Sequence, residues 1–163
     1  MLVMTKMKNE MMEKMLDKRL VIAGVEPDSR QEVLQKLSQL LKEMKYTNED
    51  FQEGVEKREK EFPTGLVTPG GNVAIPHTDP EHVKKPAIAV ASLKKPVDFF
   101  RMDKQDEKIP VRTVFMLAVS KKENQVKLIK RLSTSFKESN LIAELESAQD
   151  KEEIFSLLVD SLS

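Results

Sequence analysis

The 163-residue chain sets 27 Lys and Arg against 27 Asp and Glu, a formal net charge of zero, so no whole-chain field draws it to nucleic acid or anionic lipid. Its 39% hydrophobic content supports one sizeable core, and the absence of cysteine excludes thiol nucleophiles, thiolate metal sites and disulfides. No apolar run reaches the roughly 18 residues that a membrane-spanning helix needs, and a soluble protein is expected.

The opening MLVMTKMKNEMMEKML has neither the continuous apolar core nor the small-residue cleavage site of a signal peptide, so a cytoplasmic location is expected. Six of the nine methionines lie there, and Met4, Met7, Met11 and Met15 recur at the spacing of a packing helix. Asp28 and Ser29 then offer a cap, after which Val33, Leu34, Leu37, Leu40, Leu41 and Met44 share one helical face. A second helix is predicted to open at Asn48, because Phe51, Val55, Arg58 and Phe62 follow at offsets of four, seven and eleven. Arg58 thus falls on an apolar stripe, where a long cation is costly unless it is paired, with Glu59 or Glu61 for instance, or reaches a polar pocket.

From Pro63 to Pro80 the chain concentrates three of its five glycines and four of its eight prolines, which predicts a shaped loop region. Ala87 to Leu93 and Thr113 to Val119 read as buried strands bounded by Pro86, Pro96 and Pro110. Beyond Ser120 the period is helical again, with Gln125, Leu128, Ile129, Leu132 and Phe136 on one face, and two shorter helices follow over Leu141 to Ala148 and Asp150 to Leu162. Helices before and after a strand-rich middle, without repeats or a low-complexity linker, indicate a single α/β domain with helices packed on a sheet.

The strongest local signal is GGNVAIPHTDPEHV, Gly70 to Val83. Gly70 and Gly71 supply a turn, Val73 to Ile75 form a short strand, and Pro76 keeps Ile75 extended, which presents His77 at a strand end. Imidazole suits phosphoryl relay because near neutral pH one ring nitrogen is free as a nucleophile while the other is held by a hydrogen bond. Phosphoryl transfer through a loose, in-line transition state asks mainly for positioning and for stabilisation of oxygen charge. Arg58 supplies a permanent planar cation for that purpose, and Thr64 and Thr78 supply hydroxyl donors, with no metal or other cofactor required. Taken alone, a loop histidine is more often structural or merely exposed. His82, just after Pro80 and Glu81, reads the same way. His77, Asp79 and His82 are metal ligands by type, but Pro80 interrupts any helix that would align them. No GxxxxGK[ST] loop is present, which disfavours nucleotide kinase activity, and a 5% aromatic content disfavours a nucleic-acid reader.

The segment REKEFPTGLVTPGGNVAIPHTDPEHV, Arg58 to Val83, resembles the IIA component of the fructose, mannitol and galactitol class of the bacterial phosphoenolpyruvate-dependent sugar phosphotransferase system. Its most specific parts are Arg58-Glu59, Pro63-Thr64-Gly65 and Val73-Ala74-Ile75-Pro76-His77. The resemblance implies a mixed β-sheet flanked by helices over 15–163; ahead of it, the methionine spacing predicts a helical Met-rich extension over 1–14. The resemblance further implies that His77 takes a phosphoryl group from a histidine-containing phosphocarrier protein and passes it to a cysteine of a IIB component, so that the membrane IIC component is met only indirectly. A regulatory module that uses phosphorylation of His77 as a binding switch is the alternative. Arg58 looks like the family arginine that supports the active histidine. Mannitol- and fructose-type members tend to carry a second histidine at the start of the helix after the last long strand, where Gln125 stands here. That departure, with Thr78-Asp79-Pro80-Glu81-His82-Val83, is more like galactitol-type members. Gln125 is then expected to serve the phosphoryl group by hydrogen bonding, with His82 as a secondary candidate for the missing imidazole.

Overall fold

A computed structural model of the chain describes residues 12–162. In chain order it runs β1 (Val21–Val25), α1 (Arg30–Glu43), α2 (Phe51–Glu61), β2 (Gly65–Thr68), β3 (Gly71–Ala74), β4 (Ala87–Phe100), β5 (Lys108–Ala118), α3 (Lys122–Glu138), α4 (Leu141–Ser147) and α5 (Lys151–Leu162). Short 3-10 turns occupy Lys18–Leu20 and Pro80–His82, and residues 12–15 are helical. Among the described residues no helix is long and apolar enough to cross a membrane.

Side-chain alternation along β4 and β5 decides the layering. Ile88, Val90, Phe115 and Leu117 enter one buried cluster with Leu128, Leu132 and Phe136 of α3 and with residues of α4 and α5. Ala87, Ala89, Ala91, Val114, Met116 and Ala118 point the other way, onto Val33, Leu37 and Leu41 of α1 and Phe51 and Val55 of α2. A sheet apolar on both faces requires helices on both, which gives three layers. Strand order is β1-β4-β5-β3-β2; the β1/β4 and β3/β5 pairs are parallel, and the β4/β5 and β2/β3 pairs antiparallel. The expected α/β domain with a mixed sheet between helices is what the chain forms.

Several boundaries differ from the sequence expectation. The predicted strands are the opening half of β4 and the closing part of β5, and the full strands run on through Pro96 and Pro110. Pro96 falls in the register irregularity between Ser92 and Val97, where the ladder is already broken. Pro110 lies where β3 does not reach, since β3 pairs with β5 only at Thr113 and Val114, so its missing N–H leaves no partner unsatisfied on that side. The short strands β1 and β2 were not expected at all. The cap at Ser29 is as predicted, its Oγ accepting from the Glu32 N–H at 3.2 Å. The second helix opens three residues later than expected, because Asn48 is tied to the far loop, its N–H to the His82 carbonyl and its Nδ2 to the Glu81 carbonyl. Phe62 lies past the end of α2 and is half exposed, so it does not continue an apolar stripe. Met4, Met7 and Met11 lie outside the described residues; Met12 and Met15 are buried in the cluster under α3.

Phe136 anchors α3 to the sheet with its ring 5.0 Å from that of Phe115 in an edge-to-face contact. Phe136→Ala is expected to lower the unfolding free energy by about 3–5 kcal/mol through lost transfer energy and a residual cavity, with Phe136→Leu costing less. Urea denaturation followed by circular dichroism measures the difference.

Candidate functional site

The site forms where β3 and β5, running parallel, reach their carboxyl ends, the usual place for function beside parallel strands. Past the last residue of β3 the chain stays clamped. The Ile75 N–H is shared between the Thr64 carbonyl at 3.3 Å and the Thr64 hydroxyl at 3.2 Å, and the Pro76 carbonyl accepts from the Leu117 N–H of β5 at 3.0 Å. His77 follows directly and is itself buried, with 9% of its surface exposed.

The His77 ring turns back on its own strand, with Nδ1 2.7 Å from the Ile75 carbonyl oxygen. A carbonyl only accepts, so Nδ1 carries the proton and the lone pair resides on Nε2. Burial holds the imidazole below the ordinary histidine pKa; the Arg58 guanidinium adds to this, while the Ile75 bond and Asp79 oppose it. Near neutral pH the ring is therefore uncharged and held in one tautomer, with a lone pair on Nε2 of the kind a nucleophile needs.

Arg58, on the last turns of α2, pairs with neither Glu59 nor Glu61. Its guanidinium stacks 4.6 Å from the centroid of the exposed Phe62 ring and makes a long 3.9 Å contact with Asp79 Oδ1. Its Nε is buried with no hydrogen-bond partner. A guanidinium stacked on an aromatic face, with donors left over, is held in place yet free to receive an anion.

Gln125, on the first turn of α3, is buried and donates from Nε2 to the Thr78 carbonyl at 2.8 Å. It braces the loop that leaves His77. The Thr78 side chain packs over the α2 backbone: a Cβ on Gly54 would stand 2.7 Å from Thr78 Oγ1 and 3.3 Å from the His82 ring. Only glycine at 54 lets the loop approach this closely. His82 is turned to Asp50, with Nδ1 3.1 Å from Oδ1 outside hydrogen-bond alignment, and Nε2 lies 3.5 Å from Glu81 Oε1. The three metal-ligand types thus face three different neighbours, His77 to Ile75, Asp79 to Arg58 and His82 to Asp50.

Thr64 stands apart from the expectation of a free hydroxyl donor. Its Oγ1 donates to the Glu59 carboxylate, 2.9 Å from Oε2 and 3.2 Å from Oε1, and its N–H donates to Oε1 at 3.0 Å. Thr64 is 1% exposed, so its hydroxyl holds the strand end and is not presented outward. Sequence reasoning misses Glu59 by treating it only as an ion-pair partner for Arg58. Neighbouring helix positions do not face each other, which is the available signal that Glu59 must point elsewhere.

A model of the family "Phosphoenolpyruvate-dependent sugar phosphotransferase system, EIIA 2" matches residues 14–161. A multiphosphoryl transfer protein of Shigella flexneri is 34% identical over 116 residues, 70% of this chain but only 13% of that protein's length. The galactitol-specific EIIA component of Escherichia coli O6:H1 is 27% identical over 144 residues, 86% of this chain and 95% of the relative. Among solved structures, mannitol IIA of Escherichia coli superposes with a TM-score of 0.71 over 88% of this chain and 98% of that one; at 19% identity that likeness speaks to the fold. With the family model spanning nearly every described residue, the chain belongs to the EIIA 2 family of the phosphoenolpyruvate-dependent sugar phosphotransferase system.

Proposed function

We propose that this protein is a phosphocarrier that accepts a phosphoryl group on Nε2 of His77 from a histidine-containing phosphocarrier protein and delivers it to the cysteine of a IIB component during sugar or sugar-alcohol uptake. The observation that carries the reading is the 2.7 Å contact between His77 Nδ1 and the Ile75 carbonyl, which leaves Nε2 as the nucleophile. In the accepting step the Nε2 lone pair forms the new N–P bond as the donor's N–P bond breaks, and that electron pair returns to the donor ring. Nδ1 keeps its proton on Ile75. In the delivering step a cysteine thiolate forms the S–P bond, and His77 regains its lone pair. Residues 15–163 act as the carrier domain, behind a Met-rich extension.

Arg58 serves the phosphoryl oxygens with its unengaged donors, exchanging its long contact with Asp79 for a charge-assisted one. Gln125 keeps the loop in register through the Thr78 carbonyl, and its second Nε2 hydrogen serves the transferred group; the Thr78 hydroxyl, packed against Gly54 in the unphosphorylated protein, would have to turn to add a second bond. His82 remains a lesser candidate, given its turn toward Asp50. Both exchange partners are proteins, and the exposed Phe62 under Arg58 and Val126 beside Gln125 supply apolar surface against which a partner can seat.

Incubation with phosphoenolpyruvate, the general phosphotransferase enzyme and the phosphocarrier protein should add one phosphoryl mass to the wild-type chain, read by intact mass under alkaline conditions, and none to His77→Ala. No gain by the wild type, or equal gain by the variant, overturns the proposal. Transfer onward to a IIB cysteine distinguishes transport from the switch reading, which phosphorylation without transfer to any IIB component would favour. Arg58→Gln should slow acceptance by about 100-fold, as loss of a donor to developing oxygen charge does, measured by rapid-quench kinetics.

Because burial disfavours the imidazolium, His77 should half-protonate below the ordinary value of 6.5, and its ring should stay neutral as pH falls past that point. Ring nitrogen and carbon shifts followed by NMR from pH 8 downward test this.

A further inference from the structure

We infer that Glu59 is a positioning residue for phosphoryl transfer at His77, acting through the Thr64 hydroxyl and the Ile75 peptide; the inference rests on the phosphocarrier reading above. Glu59 is only 5% exposed, and its hydrogen bonds all come from Thr64. An acid is costly to bury, so a carboxylate this little exposed, bonded to Thr64 alone, calls for a task.

Counting hydrogens gives the task. The Thr64 hydroxyl has one hydrogen and shares with the Thr64 carbonyl the task of accepting from the Ile75 N–H, 3.2 Å and 3.3 Å away, so while it does so its hydrogen has to go elsewhere. An ionised carboxylate, acceptor at every lone pair, receives both the hydroxyl and the N–H of Thr64. The oxygen of Thr64 is thereby aimed at Ile75. Ile75 carries the order one step further: its N–H is held by Thr64, and its carbonyl holds Nδ1 of His77. When Glu59 is neutral its own O–H competes with the Ile75 N–H for Thr64 Oγ1, and a single carbonyl oxygen is left to accept both the hydroxyl and the N–H of Thr64. The peptide that selects the tautomer of His77 is then less firmly held.

The surroundings bring this change into the working range. Glu59 shares a cavity of about 480 Å³ with Asp28 and Arg30 at the start of α1, Asp98 of β4, and Glu56 and Lys60 of its own helix. Burial outweighs the Thr64 bonds and the Arg30 charge and pushes Glu59 up to about 7. Glu59 should therefore impose a pH dependence on transfer distinct from that of His77, which titrates lower.

The test compares wild type, Glu59→Gln, Thr64→Val and Thr64→Ser, each verified as folded by its amide NMR spectrum. Two readouts are taken: the His77 ring 15N shifts of the unphosphorylated protein, and the rate of phosphoryl acceptance from pH 6 to 8.5. A glutamine side chain imitates the neutral acid, so Glu59→Gln should accept about tenfold more slowly at pH 8 and lose the rate change centred near 7, with its Nδ1–H tautomer signal diminished. Thr64→Val should behave likewise, whereas Thr64→Ser, which keeps the hydroxyl, should restore both readouts. Wild-type rates, tautomer signal and pH profile in Glu59→Gln and Thr64→Val overturn the inference. So does a Thr64→Ser chain as impaired as Thr64→Val, or slowing with unchanged ring shifts. A wild type that accepts no phosphoryl group overturns the phosphocarrier reading instead, and the ring shifts then still decide whether Glu59 positions His77. If Glu59→Gln does not fold, the two Thr64 variants carry the same decision.

Discussion

One hydrogen bond, from His77 Nδ1 to the Ile75 carbonyl, is the constraint on which the rest of the site depends. It selects a tautomer, sets the ring against the strand and commits Nε2 to being the only nitrogen with a lone pair to offer. For that to be reproducible, the accepting carbonyl must itself be immobile. The fold supplies this by continuing the clamp beyond β3, with the Ile75 N–H on Thr64 and the Pro76 carbonyl on Leu117 of the long neighbouring strand. Pro76 removes one backbone freedom between the two anchors. The His77 ring is thus mounted on the sheet, although it stands three residues past the end of β3.

Electrostatics at the site are arranged around a neutral ring and a cation with capacity to spare. A chain of zero net charge has no long-range field to gather a dianionic group, so attraction has to be local. Arg58 meets that need because its position depends on stacking over Phe62 more than on ion pairing; its one acidic contact, Asp79, is long and exposed. A contact of that kind contributes little and is readily exchanged. The same guanidinium also disfavours protonation of His77, so it favours the uncharged ring; in the proposed reaction it would favour the phosphoryl charge as well.

How far the sequence disclosed this depended on the range of the interaction. Periodicity found α1 and α3 with their buried faces, since each pattern spans several turns, and the Gly-Pro punctuation located the loop that holds His77. It failed for β1 and β2, whose five and four residues are too few for a period to show; β1 is held by the distant β4, and β2 by a two-residue hairpin with β3. Prolines misled for a related reason: Pro96 and Pro110 read as strand ends, but whether a missing N–H matters is decided by what lies alongside. Arg58 stood out as a cation on an apolar stripe, and its partners are Phe62, just outside the helix, and Asp79, across a loop. Gln125 was placed by its spacing in α3, while its bond to the Thr78 carbonyl joins residues 47 positions apart and leaves no local trace.

A relay protein faces a requirement that a hydrolase does not, since the bond it makes must be neither too stable to pass on nor exposed to water. Strong direct contacts to the phosphoryl group would deepen the carrier's own energy well and slow delivery, because binding that favours the intermediate as much as the transition state gains nothing. The architecture here puts most of its order one step behind the reacting atoms, in Glu59, Thr64, Ile75 and Gln125, which fix where the ring and loop sit. Only Arg58, with a loosely held alternative partner in Asp79, stands ready to meet the charge directly. Rigid presentation with sparing direct contact is the combination that one imidazole needs if it is to serve in turn as acceptor and donor, as proposed for His77.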